Sequence, residues 1–368
     1  MPSGQRIMRL GRYGHNSMDP LQIYKNKTVL VTGHTGFKGS WLSIWLKELK
    51  ANVIGFSLKE WNNDYVFKNA RLNERVIDER GDVTDYDRLS QVFLRYKPEI
   101  IFHLAAQPLV RESYIDPVKT FSVNMIGTVN VLECIRKFDC VKSGIIITTD
   151  KCYKNKEQKE GYKETDELGG DDPYSTSKAA AELTIESYRK SFFASLGKLV
   201  ASARAGNSIG GGDFSKDRLI PDCVSALKNN RPIKLRNCMS VRPWQHVLEP
   251  IYGYLLLGVR LSNDEKEFAQ AWNFGPEKES IISVAGIADL VIKNWEEGEW
   301  QDIHDPGDLR ESKFLTLDIS KTKERLKWKP RWNIEKAIEK TISWYKNVNE
   351  YNTYKLCSQQ INEYLNDK

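Results

Sequence analysis

Apolar residues recur along this chain in two alternating rhythms. Lys27-Thr-Val-Leu-Val-Thr32 is a short β-rich run, and Ser40 to Leu49 then sets Trp41, Leu42, Trp45, Leu46 and Leu49 at helical spacing. Ala51 to Leu58 is β-rich again. The exchange continues with a short third strand ahead of Gly81, a helix over Asp85 to Arg95 and a strand at Ile100-Ile-Phe-His-Leu-Ala105. A long helix over Pro117 to Phe138, a strand at Gly144-Ile-Ile-Ile-Thr-Thr149, a helix over Pro173 to Phe193 and a strand at Leu199-Val-Ala-Ser-Ala-Arg204 follow. Strands that are apolar throughout, separated by amphipathic helices, imply a parallel sheet covered on both faces. The fold class expected is α/β, a Rossmann-type doubly wound parallel sheet.

From Gly206 the pattern loosens, with Gly210-Gly-Gly-Asp213, Arg231-Pro232 and Arg242-Pro243 between helices at Pro250 to Leu261, Ser283 to Trp295 and Ile334 to Asn347. This half reads as a smaller mixed α/β substrate-binding lobe. The expected division assigns 18–205 plus about 238–262 to the sheet domain, and about 206–237 plus 263–368 to the lobe. Met1 to Ser17 is polar and Gly-rich, without an apolar signal core, and reads as a tag or extension with Met18 as the start.

The turn between the first strand and helix is Gly33-His-Thr-Gly36-Phe-Lys-Gly39. A structural turn is one reading. In a strand–loop–helix–strand unit the other is a phosphate cradle: Gly33 permits the tight turn, and Gly36 lets backbone approach a pyrophosphate at the helix N-terminus. The second strand ends in Gly55-Phe-Ser57-Leu-Lys59, without the acid that normally grips an adenosine ribose, so NAD and NADP both stay open there. In Gly81-Asp82-Val83-Thr84-Asp85, Asp82 is favoured for the adenine edge over capping the next helix, while Asp85 serves either the cofactor or that cap.

Tyr174 and Lys178 lie four apart at the start of a predicted helix, hence on one face. A free phenol has a pKa of about 10. A neighbouring ammonium favours the phenolate, which makes Tyr174 a base for a hydroxyl proton.

Composition narrows the partners. The 368 residues carry a formal net charge of +6, spread without a Lys/Arg block, which favours a small anion over nucleic acid. None of the six cysteines forms a Cys-x-x-Cys pair or stands at metal-ligand spacing from a His, so free thiols in a cytoplasmic protein and no metal are expected. No apolar run reaches the length of about 18 residues needed to span a membrane.

Taken together, the motifs resemble the extended short-chain dehydrogenase/reductases, and within them the CDP-glucose 4,6-dehydratases. The matching segments are Thr32-Gly-His-Thr-Gly-Phe-Lys-Gly-Ser-Trp41, Leu104-Ala-Ala-Gln-Pro-Leu-Val-Arg111, Thr148-Thr-Asp-Lys-Cys-Tyr153 and Asp172-Pro-Tyr-Ser-Thr-Ser-Lys178. Ala203-Arg-Ala-Gly-Asn207 with Gly210 to Asp213, and Arg242-Pro-Trp-Gln-His-Val247, also match. The resemblance implies NAD held by Gly33, His34, Thr35, Gly36, Phe37, Lys38 and Gly39. It adds Asp82, Val83, Leu104, Ala105, Ala106 and Thr148, beside Tyr174 and Lys178. It implies CDP-glucose as substrate, contacted by Gln107, Asn207, Arg218 and Arg242.

The reaction so implied is redox-neutral. Tyr174 takes the proton of the sugar 4-hydroxyl as hydride leaves for the cofactor, and Thr149 hydrogen-bonds that hydroxyl. Asp150 protonates the departing 6-hydroxyl, Lys151 takes the carbon-5 proton, and hydride returns to carbon 6. The product is CDP-4-dehydro-6-deoxy-D-glucose. Asp150 must then be protonated and Lys151 neutral; an ordinary surface salt bridge between them is the opposing reading. Related dTDP-glucose dehydratases have Asp-Glu at this place, and epimerases lack the pair. Certain UDP-N-acetylhexosamine dehydratases use Asp-Lys, but with a shorter step to the Tyr–Lys helix than the polar stretch Lys154 to Asp171. Arg310-Glu311-Ser312 departs from the His-Glu-Ala common among relatives. A homodimer through Val118 to Lys137 and Pro173 to Phe193 is expected by the same resemblance. The rival readings are a nucleotide-sugar 4-epimerase or reductase, and a non-catalytic dinucleotide sensor.

Overall fold

The computed structural model describes residues 19–58, 65–158, 160–215, 217–303, 315–349 and 351–367. The N-terminal extension, Lys59 and Arg310 to Ser312 lie outside them. Thirteen strands are described: β1 (Thr28–Thr32), β2 (Asn52–Ser57), β3 (Ile77–Arg80), β4 (Ile100–His103), β5 (Ser143–Ile147), β6 (Leu199–Ala205), β7 (Ser208–Ile209), β8 (Ile233–Leu235), β9 (Val241–Arg242), β10 (Gln245–His246), β11 (Ala271–Phe274), β12 (Ile282–Ser283) and β13 (Trp300–Asp302).

Seven of them form one sheet in the order β11-β6-β5-β4-β1-β2-β3, every pairing parallel. The order reverses beside β1, which opens a crevice beyond the strand ends, the usual place for a ligand in such a sheet. Side chains alternate between two cores. Val29 and Val31 pack with Ile145 and Phe102 on one face, while Leu30, Ile101 and Ile146 pack on the other. The sequence reading therefore holds for the Rossmann-type sheet.

The seventh strand departs from the expected division. β11 lies in the segment assigned to the lobe, yet it pairs with β6 from Ala271↔Ser202 to Phe274↔Ala205. Trp272 and Phe274 are fully buried there, so the sheet's far edge is covered by residues from beyond the lobe's first part. The expected long helix over Pro117 to Phe138 is Pro117–Phe121 and Gly127–Lys137, joined by a π-helical segment, Ser122–Ile126. The expected helix over Pro173 to Phe193 likewise ends in a π segment, Arg189–Phe193.

Two tethers shape the site from outside. The polar stretch after Tyr153 folds back on itself through a Tyr153↔Leu168 bridge and onto the later chain through Tyr162↔Leu317. Further on, Thr353–Asn366 forms a helix against the helix Phe37–Glu48, with Tyr364 edge-on to Trp45 at 5.9 Å. Buried Glu249 fastens it, accepting the Tyr364 hydroxyl at 2.6 Å and the Trp332 backbone N–H at 2.8 Å. Among the described residues, no helix is long and apolar enough to cross a membrane, and no His/Cys/Asp/Glu group is placed to hold a metal.

Candidate active site

The glycine loop is shaped by contact and by emptiness. Gly33 has φ +74°, and a β-carbon there would lie 2.7 Å from the Ala105 backbone nitrogen. One on Gly39 would lie 2.1 Å from the Gly33 carbonyl oxygen. Both glycines are therefore required by packing. Gly36 differs: its β-carbon would meet only the Gly33 carbonyl, at 3.4 Å. Gly36 also caps the helix Phe37–Glu48 with no side-chain hydrogen bond. Backbone N–H groups at a helix start, beside a glycine open to approach, are what a dinucleotide pyrophosphate requires. Leu104, Ala105 and Ala106, half-buried, close the other side of the loop, where Ala105 N–H donates to the Thr32 hydroxyl at 3.2 Å.

Several residues expected at the cofactor face inward instead. The His34 ring is fully buried, its Nε2 2.9 Å from Asp78 Oδ1 and its edge against Phe67. Burial pulls its pKa down despite Asp78, so the imidazole is neutral and only its backbone lines the loop. Gly55 makes room for that ring, since a β-carbon there would sit 2.1 Å from His34 Cδ2. Asp82 accepts the Thr84 N–H at 2.9 Å, and Val83 is buried against Gly127. Asp85 accepts the Arg88 N–H at 2.9 Å as the cap of the helix Tyr86–Tyr96, which decides between its two readings. Thr35 is buried, its N–H 3.5 Å from the Ser57 hydroxyl. Phe37 packs under Gly210. The carboxylate missing from the end of β2 has a neighbour on β3: Asp78, opposite Gly55 in register, holds Arg80 at 2.8 Å as well as His34.

The reactive groups collect where β5 ends. Thr149 caps a short turn, Asp150–Cys152, and its hydroxyl is 2.9 Å from Asp150 Oδ1. The helix Pro173–Tyr188 starts at an Asp172 cap and brings Tyr174 against Thr149. Burial pushes the Tyr174 phenol up to about 12, and the Thr149 hydrogen bond opposes that rise. Burial pulls Lys178 down to about 8, with Glu182 opposing, and its Nζ lies 3.4 Å from the Ile147 carbonyl oxygen. Asp150 is 2% exposed, and burial raises its pKa against the pull of Lys151, Thr149, Arg242 and Lys38. Its Oδ2 is buried with no hydrogen-bond partner. A desolvated carboxyl with one oxygen unengaged is poised as a proton donor. Lys151 is half-buried, its N–H 3.3 Å from the Thr149 hydroxyl.

Lys38 reaches this centre from the glycine loop. Burial, then Arg218, pulls it down to about 8, and Asp150, Lys178 and Asp213 also act on it. Arg218 donates to Asp213 Oδ2 at 2.8 Å and bears on Tyr174. Arg242, 8% exposed on β9, bears on Asp150. The expected anion grips Arg218 and Arg242 thus meet the reactive groups. The Asn207 carbonyl accepts the Gln245 N–H at 3.0 Å, which ties the chain after β6 to β10. Gln107 is largely engaged elsewhere: Nε2 donates to the Leu109 carbonyl and the Thr120 hydroxyl, and Oε1 accepts the Leu109 N–H. Thr148 is also engaged, donating its hydroxyl to Glu182.

The sequence reading passed over two residues. Asn124, in the π segment, accepts the Gln107 N–H at 2.8 Å and donates to the Ser177 hydroxyl at 2.9 Å, linking that turn to the Tyr–Lys helix. Glu182, fully buried, pairs with Arg204 of β6 at 2.8 Å. Its position four after Lys178 was the available signal.

A sequence profile described as GDP-mannose 4,6 dehydratase matches residues 30–341. The CDP-glucose 4,6-dehydratase of Salmonella typhimurium is 42% identical over 350 residues, covering 93% of this chain and 97% of that protein. Among solved structures, an epimerase from Methanothermobacter thermautotrophicus superposes with a TM-score of 0.78 at 24% identity, covering 93% of this chain and 97% of its own. The dTDP-glucose 4,6-dehydratase of Bacillus anthracis, solved with NAD, gives a TM-score of 0.75 at 21% identity, with 88% and 98% covered.

Proposed function

We propose, because the chain belongs to the GDP-mannose 4,6 dehydratase family, that it removes water from CDP-glucose to give CDP-4-dehydro-6-deoxy-D-glucose. The observation that carries this reading is Asp150: a buried carboxyl with its pKa raised and one oxygen unengaged, next in sequence to Lys151 and linked through Thr149 to Tyr174. A 4-epimerase has no use for an elimination pair. The identity to the Salmonella enzyme supports the cytidine nucleotide.

NAD fits the open backbone at Gly36, held by the helix start at Phe37 and flanked by Leu104 to Ala106. When bound, it would supply the hydride acceptor for carbon 4 of the sugar and the hydride donor for carbon 6. Tyr174 takes the 4-hydroxyl proton, and positive charge on Lys178 favours its phenolate. Thr149 orients the hydroxyl it shares with Tyr174. A ketone at carbon 4 acidifies carbon 5, and Lys151 takes that proton. Asp150 donates its proton to the 6-hydroxyl, which leaves as water, and Lys151 returns a proton to carbon 5 as hydride reaches carbon 6. Arg218 and Arg242 supply forked cations for the diphosphate.

A second copy of this chain covers the face carrying Ile115 and Val118, each 75% exposed, with Ile126 and Leu183 beside them. Sedimentation of the purified protein as a dimer supports this assembly, and a monomer at micromolar concentration removes it.

The test of function is a panel of CDP-, dTDP-, UDP- and GDP-hexoses, each incubated with protein and NAD, with product mass as readout. Loss of one water from CDP-glucose alone, without net cofactor reduction, is the expected result. Water loss from another sugar keeps the chemistry and changes the substrate. Unchanged mass with inverted stereochemistry makes the protein an epimerase.

A further inference from the structure

Tyr174, Lys178 and Glu182 stand at successive four-residue steps of one helix, so one face carries a phenol, an ammonium and a carboxylate. The carboxylate is fully buried and accepts three hydrogen bonds. Oε1 takes the hydroxyl of Thr148, the residue immediately before Thr149. Oε2 takes the Ser202 hydroxyl at 2.8 Å and the Arg204 guanidinium at 2.8 Å, both from β6. Arg204 in turn donates to the Tyr153 hydroxyl at 2.8 Å and the Glu164 carbonyl at 3.1 Å. Tyr153 donates to Asn273 Oδ1 at 2.7 Å on β11. One side chain therefore joins the Tyr–Lys helix to two adjacent strands and, through Arg204, to Tyr153 and Glu164 of the segment that leaves Asp150.

We infer that Glu182 is a positioning residue, whose carboxylate fixes the helix bearing Tyr174 and Lys178 against the strand end bearing Thr149, Asp150 and Lys151. This rests on the dehydratase reading above. Two consequences separate it from ordinary core packing. One is geometric: the phenol and the acid–base pair sit on different elements, and a misplacement of about 1 Å can cost about a hundredfold in rate. The other is electrostatic. Lys178 is faced by Glu182 from its own helix, Cys152 from the turn after β5, His103 from β4 and Lys38 from the glycine-loop helix. Burial keeps His103 neutral and the Cys152 thiol protonated, so Glu182 is the anion among them.

Two variants test the inference on the NAD-loaded full chain, with steady-state kinetics on CDP-glucose from pH 6 to 10. Glu182→Gln keeps the volume and removes the charge; Thr148→Val keeps the charge and cuts the tie to Thr149. Both are expected to lower kcat by about tenfold to a hundredfold, with KM within about threefold of wild type. In Glu182→Gln alone, the descending alkaline limb moves to lower pH, because Lys178 loses its proton more readily. Wild-type kcat and pH profile in Glu182→Gln would overturn the inference. So would a loss in both variants that raises KM equally and follows the melting temperature. If Glu182→Gln does not fold, wild-type kcat in Thr148→Val is sufficient to overturn it. Wild-type protein inert toward CDP-glucose would instead remove the underlying reading.

Discussion

Gly206 stands where a methyl group would face Asp150: a β-carbon there would lie 3.4 Å from Oδ2 and 2.8 Å from Cγ of Pro243. The missing side chain leaves the unengaged carboxyl oxygen its approach. Gly206→Ala is expected to lower kcat for water loss by about tenfold or more, since the donor must lie within hydrogen-bond reach of the leaving oxygen. Cofactor affinity, measured by titration of the same variant, stays unchanged.

The acid and the base separate by isotope. In deuterium oxide, Lys151→Ala is expected to stop both exchange at carbon 5 and water loss. Asp150→Asn is expected to keep the exchange while water loss falls by about a hundredfold or more. Mass spectrometry of recovered substrate reads both. Exchange at the wild-type rate in Lys151→Ala makes that lysine a bystander.

Lys38 predicts a shift in pH profile. Its charge lowers the Asp150 pKa. Without it, Asp150 stays protonated to higher pH. Lys38→Met therefore moves the descending limb of the kcat profile upward. A limb that stays in place or moves down contradicts the placement of Lys38 beside Asp150.

Glu249 makes stability depend on pH. Burial raises its pKa to about 7, against the Tyr364, Trp332 and Arg331 hydrogen bonds that oppose the rise. A carboxyl raised by folding contributes stability that is complete below its unfolded pKa of about 4.3 and is lost as pH climbs through the folded value. Glu249→Gln carries no titrating group there. The wild-type melting temperature minus that of the variant is expected to fall between pH 5 and pH 8, as calorimetry would record.

Strand periodicity and the glycine spacing made the sheet legible, because apolar runs and a turn between strand and helix are local features. Tyr174 with Lys178, and Thr149 with Asp150, were legible because each pair is local in sequence; that the two pairs meet depends on the fold. The inward turn of His34 was not legible. It depends on Gly55 and Asp78, which reach the ring only once β2 and β3 have paired in register. The engagement of Gln107 was hidden for the same reason, since Thr120 meets it across a helix break. β11 escaped because Ala271–Phe274 is short, and its partner β6 lies far back along the chain.

The position of β11 has a consequence for synthesis. As the chain leaves the ribosome, β6 emerges with one side unpaired and stays so until the chain from Gly206 to Gln270 has followed. Its seven residues, all buried in the finished protein, would present a row of free backbone donors and acceptors to neighbouring nascent chains. Such an edge is where growing polypeptides stick to one another. Prompt arrival of β11 is thus also what keeps nascent copies apart.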